Sequence, residues 1–225
     1  MITLGLDRTP EPELMDDPTQ VEAYTAADFA SSNQWFVNDL IERFQPRSAC
    51  GRLVDLGCGP ADICIRLARA LPEWEIHGLD AGPNMLRSAR TAIAAAGLER
   101  AITLHLARLP ETELAPHSFD CIASNSLLHH LPDPMMLWRT VRKLAKPGAW
   151  VQIMDLDRPD SAEAVERLVQ DCAGNEPDVL RQDFSNSLHA AWRVEEVREQ
   201  LKCAGLELGC RRVSDRHWLV SGQLD

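Results

Sequence analysis

The stretch LVDLGCGPAD at residues 53–62 decides the fold of this 225-residue chain. A short apolar run stops at Gly57 and Gly59, and Ile63 and Leu67 then continue as one helical face. Glycine allows a tight turn and a close approach of a ligand to the backbone, and apolar residues at helical spacing indicate a helix. The stretch therefore predicts a strand, a turn and a helix, with free backbone N–H groups at the helix start for an anionic group.

The acidic neighbours of this turn narrow the choice of ligand. A dinucleotide-binding turn carries a third glycine where this chain has Asp62. Asp62 and Asp55 would repel a pyrophosphate and favour a cationic group, although Asp62 equally suits the start of its own helix. Asp80 ends the next apolar segment, about 20 residues downstream, where an acid binds ribose hydroxyls. We therefore expect a pocket for a ribose, a carboxylate and a cation.

Strands and helices alternate outward from this stretch, and such alternation predicts a parallel sheet with helices on both faces. The predicted strands are 52–56, 75–80, 102–106, 119–124 and 149–155, and the helices between them are 61–71, 83–96 and 134–145. An irregular piece is predicted at 156–190, followed by a helix at 192–204 and two strands within 206–213 and 217–221.

The N-terminal region differs from this alternating pattern. Residues 1–20 are rich in prolines and acids and predict an extended segment, and the apolar spacing over 19–44 predicts one or two amphipathic helices broken near Ser31 and Ser32. We therefore divide the chain into an N-terminal extended segment and helical cap over 1–50 and a core over 51–225. Within the core, the piece at 156–190 is expected to be a substrate-side insertion above the pocket.

Three further motifs make the pattern specific, namely GLD at 78–80, SFDCIASNSLLHHL at 118–131 and KPG at 146–148. Together with VDLGCGP, they resemble the class I S-adenosylmethionine-dependent methyltransferases over about residues 51–155. The resemblance implies an α/β fold with a doubly wound, mostly parallel, seven-stranded Rossmann-like sheet and an antiparallel C-terminal hairpin. It also implies S-adenosyl-L-methionine as the cofactor and methyl transfer to a small-molecule acceptor.

The resemblance further implies cofactor contacts. The Gly57–Gly59 loop is expected to lie against the methionine part and Asp80 to bind both ribose hydroxyls, while Met85 either packs on adenine or belongs to the helix core. Adenine contact is expected from residues 107–109, although many relatives carry an Asp for the adenine amino group where this chain has residues near His105. The expected cofactor-binding residues are Asp55, Gly57, Cys58, Gly59, Asp80, Ala81, Met85, Arg108, Leu109, Asn125 and Ser126.

Polar residues at the ends of the fourth and fifth strands are the expected chemical groups. His130 and His129 are candidate catalytic residues, because histidine titrates near neutrality, although a role in positioning the cofactor stays open. Asp155 is a third catalytic candidate, and Asp157, Arg158 and residues 183–187 are candidate substrate contacts. The expected substrate contacts are Tyr24, Phe29, Asp155 and Asn186.

Composition excludes several classes of function. The formal net charge of −11 argues against a nucleic-acid partner, and no apolar run is long enough for a membrane span. The seven cysteines form no C-x-x-C pair, so we expect reduced thiols, no metal site and a cytoplasmic protein. The oligomeric state stays open. Two alternative functions are a non-catalytic cofactor-binding partner domain and, less favoured because of Asp62, a nicotinamide-dependent oxidoreductase.

Overall fold

The structure, a computed structural model, describes residues 5–11, 14–46 and 48–225. One seven-stranded sheet has the order β3-β2-β1-β4-β5-β7-β6, and only β7 runs antiparallel to its neighbours in this part of the chain. The predicted doubly wound sheet with an antiparallel C-terminal hairpin is thus confirmed. The strands are β1 Arg52–Leu56, β2 Glu75–Asp80, β3 Ile102–Leu106, β4 Phe119–Asn125, β5 Ala145–Leu156, β6 Gly209–Arg212 and β7 His217–Gln223.

Eight α-helices and a short 3₁₀ turn at Leu128–His130 surround the described sheet. Local signals set several of their ends. Asp17 accepts hydrogen bonds from the first free amides of α1, and Gly97 ends α4 in the left-handed conformation with φ +69°. The helices are α1 Pro18–Ala26, α2 Ala30–Phe44, α3 Asp62–Ala70, α4 Pro83–Ala96, α5 Met135–Leu144, α6 Ala162–Ala173, α7 Asp178–Ala190 and α8 Val194–Ala204.

Two sequence-based expectations are wrong. The break between the N-terminal helices lies at 27–29 rather than near Ser31 and Ser32, because the Asp28 side chain accepts a hydrogen bond from the Ala30 N–H and starts α2 there. The piece at 156–190 is not irregular, since α6 and α7 occupy most of it. The Ser161 hydroxyl accepts a hydrogen bond from the Ala164 N–H at the start of α6.

Strands β5 and β6 also differ in length from their predicted ranges. β6 covers only Gly209–Arg212 of the predicted 206–213. β5 begins at Ala145 rather than at 149, because Ala145 pairs with Phe119 before an irregularity in the β4–β5 register.

The sheet is buried on both faces, as its parallel strands require. Trp138 and Trp218 lie on one face, packed between the sheet and helices α5 and α8. Phe36 and Leu67 lie on the other face, where α2, α3 and α4 pack. Because the strand order reverses between β1 and β4, the crevice outside their carboxyl ends is where such sheets bind ligands. No helix in the described ranges is both long and apolar enough to cross a membrane.

Candidate active site

A cavity of about 700 Å³ lies over this crevice. Its floor is the carboxyl edge of the sheet, and its walls come from the α1–α2 region and from α6 and α7. Most of the residues expected from sequence line it: Tyr24, Phe29, Asp55, Gly57, Cys58, Gly59, Asp80, Ala81, Met85, Arg108, Leu109, Asn125, Ser126, His129 and His130. The fold therefore gathers them around one space, and their individual roles stay predictions.

Four other candidates do not line this cavity. Asp155 lies behind His129, with 1% of its surface exposed, and Asn186 lines a separate small cavity, where its side chain accepts a hydrogen bond from Gln182. Asp157 is paired with Arg212, and the buried Arg158 is paired with Glu196. Their positions do not fit direct substrate contact.

The glycine loop after β1 is held by backbone hydrogen bonds. Gly57 and Gly59 have φ angles of +76° and +50°, and a Cβ at Gly57 would lie 2.9 Å from the Leu127 side chain. The N–H groups of Gly57 and Cys58 both donate to the Leu79 carbonyl, at 2.8 and 3.0 Å. The expectation that this loop offers free amides to an anion is therefore wrong for these two residues.

Asp80 connects the loop to the next strand-end turn. One carboxylate oxygen accepts the Gly59 N–H and the other the Gly82 N–H, both at 2.8 Å. Burial raises the pKa of Asp80, and these two amides partly offset that effect. Each carboxylate oxygen accepts about two hydrogen bonds, so each retains capacity for a ligand hydroxyl. The geometry is thus suited to a vicinal diol.

Two buried oxygen acceptors near the loop have no hydrogen-bond partner among the described residues, Asp55 Oδ1 and Asn125 Oδ1. Both side chains line the cavity. Burial raises the pKa of Asp55 to about 7, an effect that a hydrogen bond from the Cys64 thiol opposes and the neighbouring Asp80 increases. Unpaired buried acceptors are costly, so a donor, and above all a cationic one, would be stabilised here.

The raised pKa of Asp55 makes a testable prediction about stability. Folding takes up a proton on Asp55 between about pH 4 and pH 7, so the ligand-free protein should lose stability as the pH rises through this range. The variant Asp55→Asn should lack that loss, which is on the order of 4 kcal/mol because one pKa unit corresponds to about 1.4 kcal/mol. Urea unfolding of both proteins from pH 4 to pH 8 measures it. A difference between them that does not change with pH would contradict the assignment.

His129 and His130 lie in the 3₁₀ turn that follows β4, and only His129 is held by the core. Its Nδ1 atom is 2.5 Å from Asp155 Oδ1, and its backbone N–H donates to the other oxygen of Asp155. Burial lowers the pKa of His129, but the charge and hydrogen bond of Asp155 outweigh burial and raise it overall. Burial likewise raises the pKa of Asp155, and His129 lowers it overall. Asp155 is thus a positioning residue for His129.

Glu11 of the N-terminal segment contacts both histidines, and no sequence pattern indicated this residue. Its Oε1 atom lies 3.4 Å from His129 Nε2 and 3.0 Å from His130 Nδ1. Burial raises the pKa of Glu11, but the two histidines and Ser187 lower it overall. A lone acid in a proline-rich stretch far from the histidines in sequence has no spacing that would mark it.

Other side chains fasten the N-terminal region over the cavity. Asp16 accepts hydrogen bonds from the Asn84 and Met85 N–H groups and so caps α4 beside Asp80. Gln20 of α1 donates to Asp183 of α7 at 2.9 Å. The cap is therefore joined both to the cofactor side of the sheet and to the inserted helices.

Tyr24 and Phe29 form the aromatic part of this roof, with ring centroids 4.8 Å apart. Burial raises the pKa of Tyr24 to about 12, and the carboxylates of Asp80 and Asp155 add to the effect. Phe184 and Leu180 of α7 line the same cavity from the opposite wall. An apolar, partly enclosed space thus lies above the polar strand ends.

A family model described as a methyltransferase domain matches residues 54–151, which include the glycine loop, Asp80 and both histidines. Among similar proteins, the chain is 32% identical over 109 residues to a demethylmenaquinone methyltransferase of Bacillus cytotoxicus, covering 48% of this chain and 46% of that protein. It is 34% identical over 145 residues to a trans-aconitate 2-methyltransferase of Methylobacterium nodulans, covering 64% and 52%. The chain thus spans about half the length of these relatives.

A solved structure of a putative S-adenosyl-L-methionine-dependent methyltransferase from Methanococcus maripaludis has the same fold. It superposes with a TM-score of 0.75 at 20% sequence identity, and the match covers 96% of this chain and 98% of that chain. The similarity therefore extends through the cap and the inserted helices as well as the sheet.

Proposed function

We propose that this chain transfers a methyl group to a small molecule held in the cavity. The premise is that the chain belongs to the class I S-adenosylmethionine-dependent methyltransferases. The observation that supports this most is the placement of an acceptor pair for a diol and two unpaired acceptors on the floor of one enclosed space. Bound S-adenosylmethionine supplies a sulfonium methyl group that is already activated for nucleophilic attack.

The residues present fit this cofactor. Asp80 would bind the ribose hydroxyls with the oxygen capacity that Gly59 and Gly82 leave. Asp55 Oδ1 and Asn125 Oδ1 would accept hydrogen bonds from the ammonium group of the methionine part. Met85 and Leu109, both buried and lining the cavity, offer apolar surface for the adenine ring.

The acceptor would lie beneath the cap, among Tyr24, Phe29 and Phe184. This wall offers apolar surface, and a methyl transfer mainly needs alignment of the nucleophile in a site with little water. His130 and His129 line the same space, which supports them as candidates to take a proton where the acceptor must lose one and no metal ion binds them. Demethylmenaquinone and trans-aconitate, which the names of two relatives give, both belong to this class of small acceptors.

A methyl-acceptor screen tests the proposal, with S-adenosylhomocysteine as the measured product. We expect at least one small organic acceptor to give stoichiometric S-adenosylhomocysteine and a product heavier by one methylene. If the chain binds S-adenosylhomocysteine but methylates none of the quinols, organic acids and amines tested as acceptors, the result would favour the alternative, a non-catalytic cofactor-binding domain. Binding of NAD instead would favour the oxidoreductase, against which the acidic Asp62 at the glycine loop argues.

A further inference from the structure

We propose that Glu11, His129 and His130 form a binding site for one divalent transition-metal ion at the acceptor end of the cavity. Among the described residues, a carboxylate oxygen of Glu11 and one nitrogen of each histidine form this cluster, and the three atoms all lie within 4.8 Å of one another. Two imidazole nitrogens and one carboxylate oxygen are a donor set that suits Zn²⁺, Fe²⁺ and Co²⁺. The sequence-based expectation that the chain has no metal site was drawn from the cysteines alone and did not consider Glu11.

The two distances from Glu11 to the histidines fit coordination by one ion. Metal bonds of about 2.0–2.2 Å place neighbouring ligand atoms roughly 3.0–3.5 Å apart in tetrahedral or octahedral geometry. Glu11 Oε1 lies 3.0 Å from His130 Nδ1 and 3.4 Å from His129 Nε2. Glu11 therefore stands between the two histidines at ligand spacing.

The second observation concerns the buried His130 Nδ1 atom. Its close contact among the described residues is the Glu11 carboxylate, which lies at the ion-pair distance of 3.0 Å but outside good hydrogen-bond geometry. The centroids of the two imidazole rings also lie 4.1 Å apart, so the rings are direct neighbours. A metal ion would satisfy both nitrogens and the carboxylate at once.

The third observation is the contact behind His129. Histidines that bind metals usually donate their other N–H to a carboxylate, which fixes the ring and the tautomer. Asp155 Oδ1 lies 2.5 Å from His129 Nδ1 and is buried, so a proton on Nδ1 leaves the Nε2 lone pair facing Glu11. Asp155 thus occupies the place of such an orienting carboxylate.

Three protein ligands leave at least one coordination position open. His129 and His130 line the main cavity, so an oxygen or sulfur donor of the methyl acceptor would be able to complete the coordination. This last step rests on the proposed function, whereas binding of the ion itself does not.

The test uses the full chain stripped of metals with EDTA and titrated with Zn²⁺ by calorimetry and with Co²⁺ by visible absorption. We expect one ion per chain and Co²⁺ d–d bands, and a Zn²⁺ affinity at least about 10-fold weaker in Glu11→Gln and in His130→Gln. Glu176→Gln and His217→Gln are matched controls, because both residues line the cavity outside the cluster. Their affinities should equal that of the wild type.

No stoichiometric binding to the wild type, or equal affinity in Glu11→Gln, His130→Gln and the controls, would overturn the proposal. Binding of S-adenosylhomocysteine, measured on each variant, shows that the variant is folded. Because neither readout requires methyl transfer, loss of the metal site and failure of the proposed activity are distinguishable.

Discussion

Replacement of Asp80 by alanine is expected to weaken the binding of S-adenosylhomocysteine by about 10- to 100-fold. The carboxylate would accept two charge-assisted hydrogen bonds from the ribose, and losing such bonds costs about 1.5–3 kcal/mol. Asp80 also holds the Gly59 and Gly82 amides at 2.8 Å, so the alanine variant loosens both turns as well. Calorimetric titration of the variant and the wild type measures the effect.

Two further variants separate charge from position in this experiment. Asp80→Asn keeps the size of the side chain and an acceptor oxygen, so we expect a smaller loss than in Asp80→Ala. Glu176→Ala removes an acid from the cavity lining between α6 and α7 and should leave the affinity within about twofold of the wild type. An unchanged affinity in Asp80→Ala would remove Asp80 from the cofactor site.

Removal of residues 1–30 should abolish methyl transfer, with a loss of at least about 100-fold, while the sheet stays folded. The two main core clusters contain no residue before Phe36, so the truncation removes none of their side chains. It removes Tyr24 and Phe29 from the lining of the cavity and Glu11 from its contact with His130. The rate of S-adenosylhomocysteine formation with an acceptor found by the screen is the measurement.

A shorter truncation is the control for this prediction. Removal of residues 1–17 deletes Glu11 and Asp16 but keeps α1 and its aromatic roof, so the rate should fall less than after removal of 1–30. Both truncated proteins should still bind S-adenosylhomocysteine. The binding should be weaker than in the wild type, because the hydrogen bond from the Asn84 N–H at the start of α4 to Asp16 is lost. A full methyl-transfer rate without residues 1–30 would show that the cap only packs against the core.

The alternating core was predictable because each of its signals is local. The glycine pair, Pro83 at the start of α4 and Gly97 at its end act within a few residues, and the predicted bounds of β1, β2, β3 and α4 match the structure. The helices of 156–190 were also readable in principle. Val165, Leu168 and Val169 recur at helical spacing behind Ser161, and this pattern indicates a helix.

The composition of the site was predictable only in part, because residues that are far apart in the sequence form no motif that would indicate their contact. A family pattern identifies His129 and His130 together, but not that Asp155 lies behind one of them, shielded from the cavity. Glu11 and Asp16 reach the site through folding of the N-terminal segment over the sheet edge. Asn186 shows the converse case, since α7 places it at a separate small cavity and not at the one that Asp183 and Ser187 line.

The central claim is that the crevice beside Asp80 binds S-adenosylmethionine, and titration of the wild-type chain tests it most directly. Calorimetry with S-adenosylhomocysteine should show one site per chain, and the same titration with NAD should show no heat of binding. Binding of NAD with no binding of S-adenosylhomocysteine would contradict the claim.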